Sequence, residues 1–168
     1  MLHSAILVLT LVLAALPLSG AEKDSPIIKG RVTIVPNIGA LREFCTMDKN
    51  DYIFGCTAFQ ELFSCSCRQV LDKYRLDVSV RVTPSIYLWK LQYLGHENDH
   101  IGDIRVAILR YMHDLDERGY ASLEECSQVA RRETAGFHYL LDTFKEDSSV
   151  KRHPSYRRRL PRLAERAP

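Results

Sequence analysis

Five consecutive residues carry the strongest chemical signal in this chain: His96, Glu97, Asn98, Asp99 and His100, an H-E-x-x-H run. On a helix, residues four apart share a face, so the two imidazoles point the same way and can hold one metal ion. Glu97 is the next residue along, placed to take a proton from a water bound to that ion. The arrangement suits metal-assisted hydrolysis of a peptide bond, with Zn2+ as the ion and Glu97 as the general base. Catalytic zinc takes three protein ligands and keeps a fourth position open. His96 and His100 supply two, so a third has to come from elsewhere.

The flanking sequence says where to look. Leu94, Ile101, Ile104, Ile108, Tyr111 and Leu115 recur with the helical period, which predicts an amphipathic helix to about Arg118, ended by Gly119. Ser122, with Glu125 three residues later, is a capping box that opens a second helix to about Glu146. Its apolar stripe is Leu123, Cys126, Ala130, Phe137, Leu141 and Phe144. The short connection predicts an antiparallel hairpin. If it turns near Tyr120, His100 faces Leu141 and His96 faces Lys145, so the third ligand is expected between 137 and 145. His138 ranks first in or near that window. Asp142 ranks second, four residues on, as a ligand or as the carboxylate that orients His138. Glu133, on the buried stripe, ranks third. For each, the competing reading is a polar side chain satisfied by its neighbours. Asp103 is expected either to hydrogen-bond a ligand histidine from behind or to be a solvated helix residue. His113 reads as surface and His153 is given no role. Tyr93 and Tyr139 are named as candidates to stabilise an oxyanion.

The remaining elements are strands and a cysteine-rich segment. Residues 31–35 form an expected strand closed by Pro36, Asn37 and Gly39, and 76–82 alternate apolar and polar side chains, as a half-buried strand does. Thr83-Pro84-Ser85 is expected to break it. Residues 86–91 then form a second strand, a candidate edge for laying down an extended substrate. Residues 41–67 read as loops pinned by disulfides, with a turn at 48–51 and a short helix around 58–63. The fold class is α+β: a small antiparallel or mixed sheet packed on an antiparallel helical hairpin that carries H-E-x-x-H, stabilised by disulfides.

Residues 1–21 read as a secretory signal, with an apolar run over 5–16, Pro17, and small residues before a cut after Ala21. The run is short for a membrane span, and no later segment approaches it. The organisation is therefore signal peptide 1–21, metallopeptidase-like domain 22–149, and a basic tail 150–168 expected to be disordered. An oxidising compartment makes disulfides the default for Cys45, Cys56, Cys65, Cys67 and Cys126, an odd set that leaves at least one thiol over. The C-x-C pair, Cys65 and Cys67, is poorly placed to pair with itself, and the connectivity is open. The net charge of +2 conceals seven Lys and Arg against Glu165 from Lys151 onward, leaving −4 for the rest. No nucleic-acid partner is expected, and the tail reads as a solvated end.

The order of signal, strands, H-E-x-x-H helix, short turn and second helix resembles the zincin metallopeptidases, especially the small secreted zinc-dependent proteases of bacteria. The resemblance covers roughly 78–147. It implies a secreted or periplasmic peptidase acting on a peptide or protein, with His96 and His100 as zinc ligands and Glu97 as catalytic base. The chain departs from the metzincin pattern, because Gly102 and Asp103 stand out of register for a third histidine after the motif. Two other readings stand beside it. One is a non-enzymatic, disulfide-stapled secreted binding domain in which H-E-x-x-H is a coincidence or a relic. The other is a structural metal site closed by a fourth ligand, Asp103 or Asp142. No G-x-S-x-G occurs, so serine chemistry has no support. Substrate and oligomeric state are not readable.

Overall fold

A computed structural model of the protein describes residues 25–45 and 54–153. Residues 1–21, read as a signal peptide, the expected turn at 48–51 and the residues from 154 on lie outside the described residues. The architecture is α+β, with a small mixed sheet and helices. In chain order the elements are β1 (Arg31–Ile34), α1 (Ile38–Phe44), β2 (Gly55–Val70), β3 (Lys73–Leu88), a 3-10 turn (Leu91–Tyr93), α2 (Leu94–Asp116), β4 (Gly119–Tyr120) and α3 (Leu123–Arg152). The sheet runs β1-β3-β2, with β4 paired to β3. The chain divides into two compact units, one ending at Ser64 and resuming over 78–101, the other formed by 65–77 and the residues from Gly102 on.

In the first unit, β3 keeps one phase of burial. Val80, Val82, Pro84, Ile86 and Leu88 all face inward. The expected break at Thr83-Pro84-Ser85 therefore does not occur, because Pro84 falls on the buried phase and the strand runs through it. The ladder beside it adapts instead. β1 pairs parallel to β3 from Arg31↔Ser85 to Ile34↔Leu88. Ahead of it, Ile27 bridges Val82. Four residues on one side thus span three on the other, a bulge beside the proline that cannot donate to the ladder. Gly30 makes this passage possible, since a Cβ there would stand 2.1 Å from the Pro84 carbonyl oxygen.

Residues 41–67, expected as loops, hold the end of α1 and most of a 16-residue strand. The side chain of Asn37 caps α1 by accepting from the Ala40 N–H. At the foot of the hairpin the Trp89 N–H donates to the Phe54 carbonyl at 3.0 Å. Residues 86–88 lie inside the sheet, between β1 and β2, and are not the substrate edge that the sequence suggested. Cys45 is disulfide-bonded to Cys56. It sits with Val35 and Leu41 in a small core on which Cys56, Tyr87 and Trp89 pack.

In the second unit the predicted helical stripes hold for the most part. Ile104, Ile108 and Leu115 of α2 and Cys126, Ala130, Phe137 and Leu141 of α3 are buried. Leu123 is the exception, 53% exposed at the first turn of α3. Ser122 accepts from the Glu125 N–H, one half of the expected capping box, while the Glu125 carboxylate reaches one residue past the cap and accepts from the Ala121 N–H. The helix runs to Arg152, three residues into the stretch assigned to the tail. β4 pairs antiparallel with the start of β3 through Tyr74↔Tyr120. Cys67 is bonded to Cys126 of α3, and Cys65 keeps a free thiol. The two disulfides, and a set of described helices none of which is long and apolar enough to cross a membrane, are compatible with an extracellular protein.

The turn from β2 to β3 is made by Leu71 and Asp72. Leu71 holds φ at 56°, in the left-handed region, with its side chain 90% exposed. A Leu71→Gly substitution should raise stability by about 1 kcal/mol, read as a higher urea midpoint, since it removes that strain without removing a contact. The disulfides close separations of 11 and 59 residues. Paired Cys→Ser variants should lose about 3 and about 4 kcal/mol respectively in the same assay, the longer loop losing more.

Candidate metal site

The 3-10 turn at Leu91–Tyr93 feeds directly into α2, so the H-E-x-x-H run occupies its first two turns. Tyr93 stacks on Phe54, ring centroids 4.8 Å apart, and Phe54 stacks in turn on Trp89. Aromatic packing in the first unit therefore anchors the chain where the helix begins.

Helical spacing brings the two imidazoles together, as expected. Nε2 of His96 and Nε2 of His100 lie 3.2 Å apart, with the rings edge to face. As a hydrogen bond, the contact needs one Nε2 to carry a hydrogen and the other to accept it. A tetrahedral ion with Zn–N bonds of 2.0–2.1 Å would hold two such nitrogens about 3.3 Å apart, so this spacing fits a shared metal. His96 and His100 thus form a pair that could supply two ligands to a metal ion. Both donors are imidazole, the ligand type favoured by zinc, copper and nickel over magnesium or calcium.

Glu97 is buried at 5% exposure and its Oε2 accepts a 2.8 Å hydrogen bond from the Thr57 hydroxyl of β2. Burial raises the Glu97 pKa, and the Thr57 bond and the nearby His96 offset part of that rise. A buried carboxylate shifted up from its ordinary value takes up a proton more readily than one in water.

Set against protein-family models, characterised proteins and solved structures, this chain matches none. The resemblance to zincins therefore rests on the H-E-x-x-H residues and the order of the elements.

The residues proposed as third ligand fall elsewhere. His138 stands on the outer face of α3, its side chain 62% exposed and its Nε2 3.6 Å from Asp142. Asp142 also takes a 2.7 Å bond from Lys145. Glu133 accepts from the Tyr111 hydroxyl at 2.7 Å and pairs with Arg132. Burial pushes the Glu133 carboxyl up, but the hydrogen bonds from Tyr111 and Arg132 outweigh it and leave the pKa low. The shared reason is register. A hairpin in step would set Asp103 opposite residue 138, whereas Asp103 meets Ser148, Lys151 and Arg152. Asp103 thus meets residues ten to fourteen positions further along α3 than a hairpin in step would give, which takes the 137–145 window off the expected level. The longer helix had its signal in Lys151 and Arg152, read as the start of a tail but standing in the last turn of a helix, where cations are favourable. Tyr139 is 74% exposed, and His113 pairs with Glu117 on the surface, as read.

Asp103 is neither a solvated residue nor seen to orient a histidine. Its carboxylate accepts from Arg152 Nε at 2.7 Å and Nη2 at 3.1 Å, from the buried Ser148 hydroxyl, and from Lys151. The Arg152 bond leads in holding its pKa far below the usual range, against the opposing pull of burial. Because the folded pKa lies below the unfolded one, the stabilisation is complete above about pH 4 and fades as pH falls further. Asp103→Asn should lower the unfolding free energy by about 1–2 kcal/mol at neutral pH, and the gap from wild type should narrow in urea titrations at about pH 3.

Proposed function

We propose that this protein is a secreted zinc-dependent peptidase in which His96 and His100 are two of the ligands that hold the ion and Glu97 is the general base. The observation that carries this reading is the pair of imidazole nitrogens 3.2 Å apart on the helix that also presents a buried glutamate. Zinc, when bound, lowers the pKa of a water and polarises the carbonyl to be attacked. The chain's own residues do the rest. The two imidazoles fix one side of the site, and catalytic zinc keeps a position open for water. Glu97 accepts the proton of the attacking water and returns it to the departing amine, a transfer helped by the upward shift that burial gives its pKa. The disulfides and the apolar run over 5–16 support a secreted protein.

A second reading is a disulfide-stapled binding domain that holds a metal without hydrolysis. It is favoured by one observation: the Glu97 carboxylate already has a partner in Thr57.

Elemental analysis of the full chain, expressed into an oxidising compartment and handled without chelators, separates these. About one zinc per chain is expected in wild type and in Glu97→Gln. His96→Ala and His100→Ala should lose most of it, and His138→Ala should not. On a denatured-protein or mixed-peptide substrate, Glu97→Gln should be at least about 100-fold slower than wild type. A zinc-loaded wild type that hydrolyses nothing would favour the binding domain, and a wild type that takes up no zinc would overturn the metal site.

A further inference from the structure

β2 opens on three residues with three separate tasks. Strand alternation sends Gly55 and Thr57 to one face and Cys56 to the other. On the first face lies Glu97. The Thr57 hydroxyl donates to its Oε2, and its Oε1 fills the space a side chain at position 55 would need, 2.9 Å from where a Cβ would stand. On the other face Cys56 is tied to Cys45, within the core of Val35 and Leu41. The strand that receives the glutamate is thus covalently held from behind, between the two residues that touch it. A glutamate side chain has several rotatable bonds, and each one left loose spreads the carboxylate over positions that do not serve proton transfer. A hydroxyl offers a single O–H donor, so it engages one carboxylate oxygen and leaves the acceptor capacity of the other.

We propose that Thr57 is a positioning residue for catalysis: Gly55 makes room for the Glu97 carboxylate, Thr57 orients it, and the Cys45–Cys56 bridge holds the strand that carries both. This rests on the peptidase reading above. Glu97 meets the reacting water, and Thr57 acts only through Glu97.

The test compares Thr57→Val, which keeps the shape and removes the donor, with Thr57→Ser, which keeps the donor. Zinc content, kcat and KM on one peptide substrate are measured for both, for Glu97→Gln and for the Thr57→Val/Glu97→Gln pair. Thr57→Val should keep its zinc and a KM within about twofold of wild type while kcat falls about 10- to 100-fold. Thr57→Ser should retain most of the wild-type kcat. In the double variant Thr57→Val should add no further loss, because the group it orients is already gone. Full kcat in Thr57→Val, or a loss that also takes the zinc and is not restored by serine, would overturn the positioning role. The peptidase reading fails in a different way: wild type and Glu97→Gln would then be equally inert, and the role assigned to Thr57 would fall with it.

Discussion

Every other strand of the sheet hydrogen-bonds to β3. That one constraint shapes what surrounds it, because a strand flanked on both sides must satisfy its donors and acceptors over its whole length. Pro84 removes a donor from the middle of it. The chain neither ends the strand nor leaves the gap unfilled, but shifts the neighbouring segment by one residue and passes it over the proline through Gly30. With the register recovered by Ser85, Leu88 reaches its buried position, and the foot of the hairpin closes at Phe54 and Trp89. The start of β2 and the approach to α2 are fixed from there.

Along α2, two carboxylates less than two turns apart are driven in opposite directions. Glu97 is enclosed, has one neutral donor, and is raised. Asp103 is met by a guanidinium, an ammonium and a hydroxyl, and is lowered. The contrast separates a group suited to proton transfer from one suited to permanent charge. Asp103 spends its charge on fastening the last turn of α3, and Glu97 keeps an environment in which gaining a proton is less unfavourable than it would be in water.

How much of this was legible in the residues depended on the kind of signal. The helices were readable because Ile104, Ile108, Phe137 and Leu141 recur at helical spacing and Ser122 with Glu125 marks a start. The pairing of His96 with His100 was readable because four residues is a helical interval. β2 was not. Its outer face carries Ala58 and Leu62, its inner face carries Glu61, and neither alternates cleanly in polarity. Its turn has Leu71 where Gly or Asn would have announced a hairpin. Thr57 lies 40 residues from Glu97 and carries no motif, so only the folded chain joins them. The window for a third ligand was misplaced because the level at which α3 meets Asp103 is set by tertiary packing, and loop length alone suggested a hairpin in step.

The free thiol of Cys65 has a consequence for how the chain becomes oxidised. Cys65 and Cys67 are two apart on β2 and face the same side of the strand. Cys45 and Cys56 are neighbours in sequence and can meet after a short closure, whereas Cys67 must wait for a partner 59 residues away. While α3 is still approaching, two sulfurs compete for Cys126, and a slip of one pleat repeat would give it to the wrong one. Strand register thus bears on oxidative maturation, because pairing Cys126 with Cys65 would leave Cys67 reduced and join the end of β2 to α3 one pleat repeat out of place.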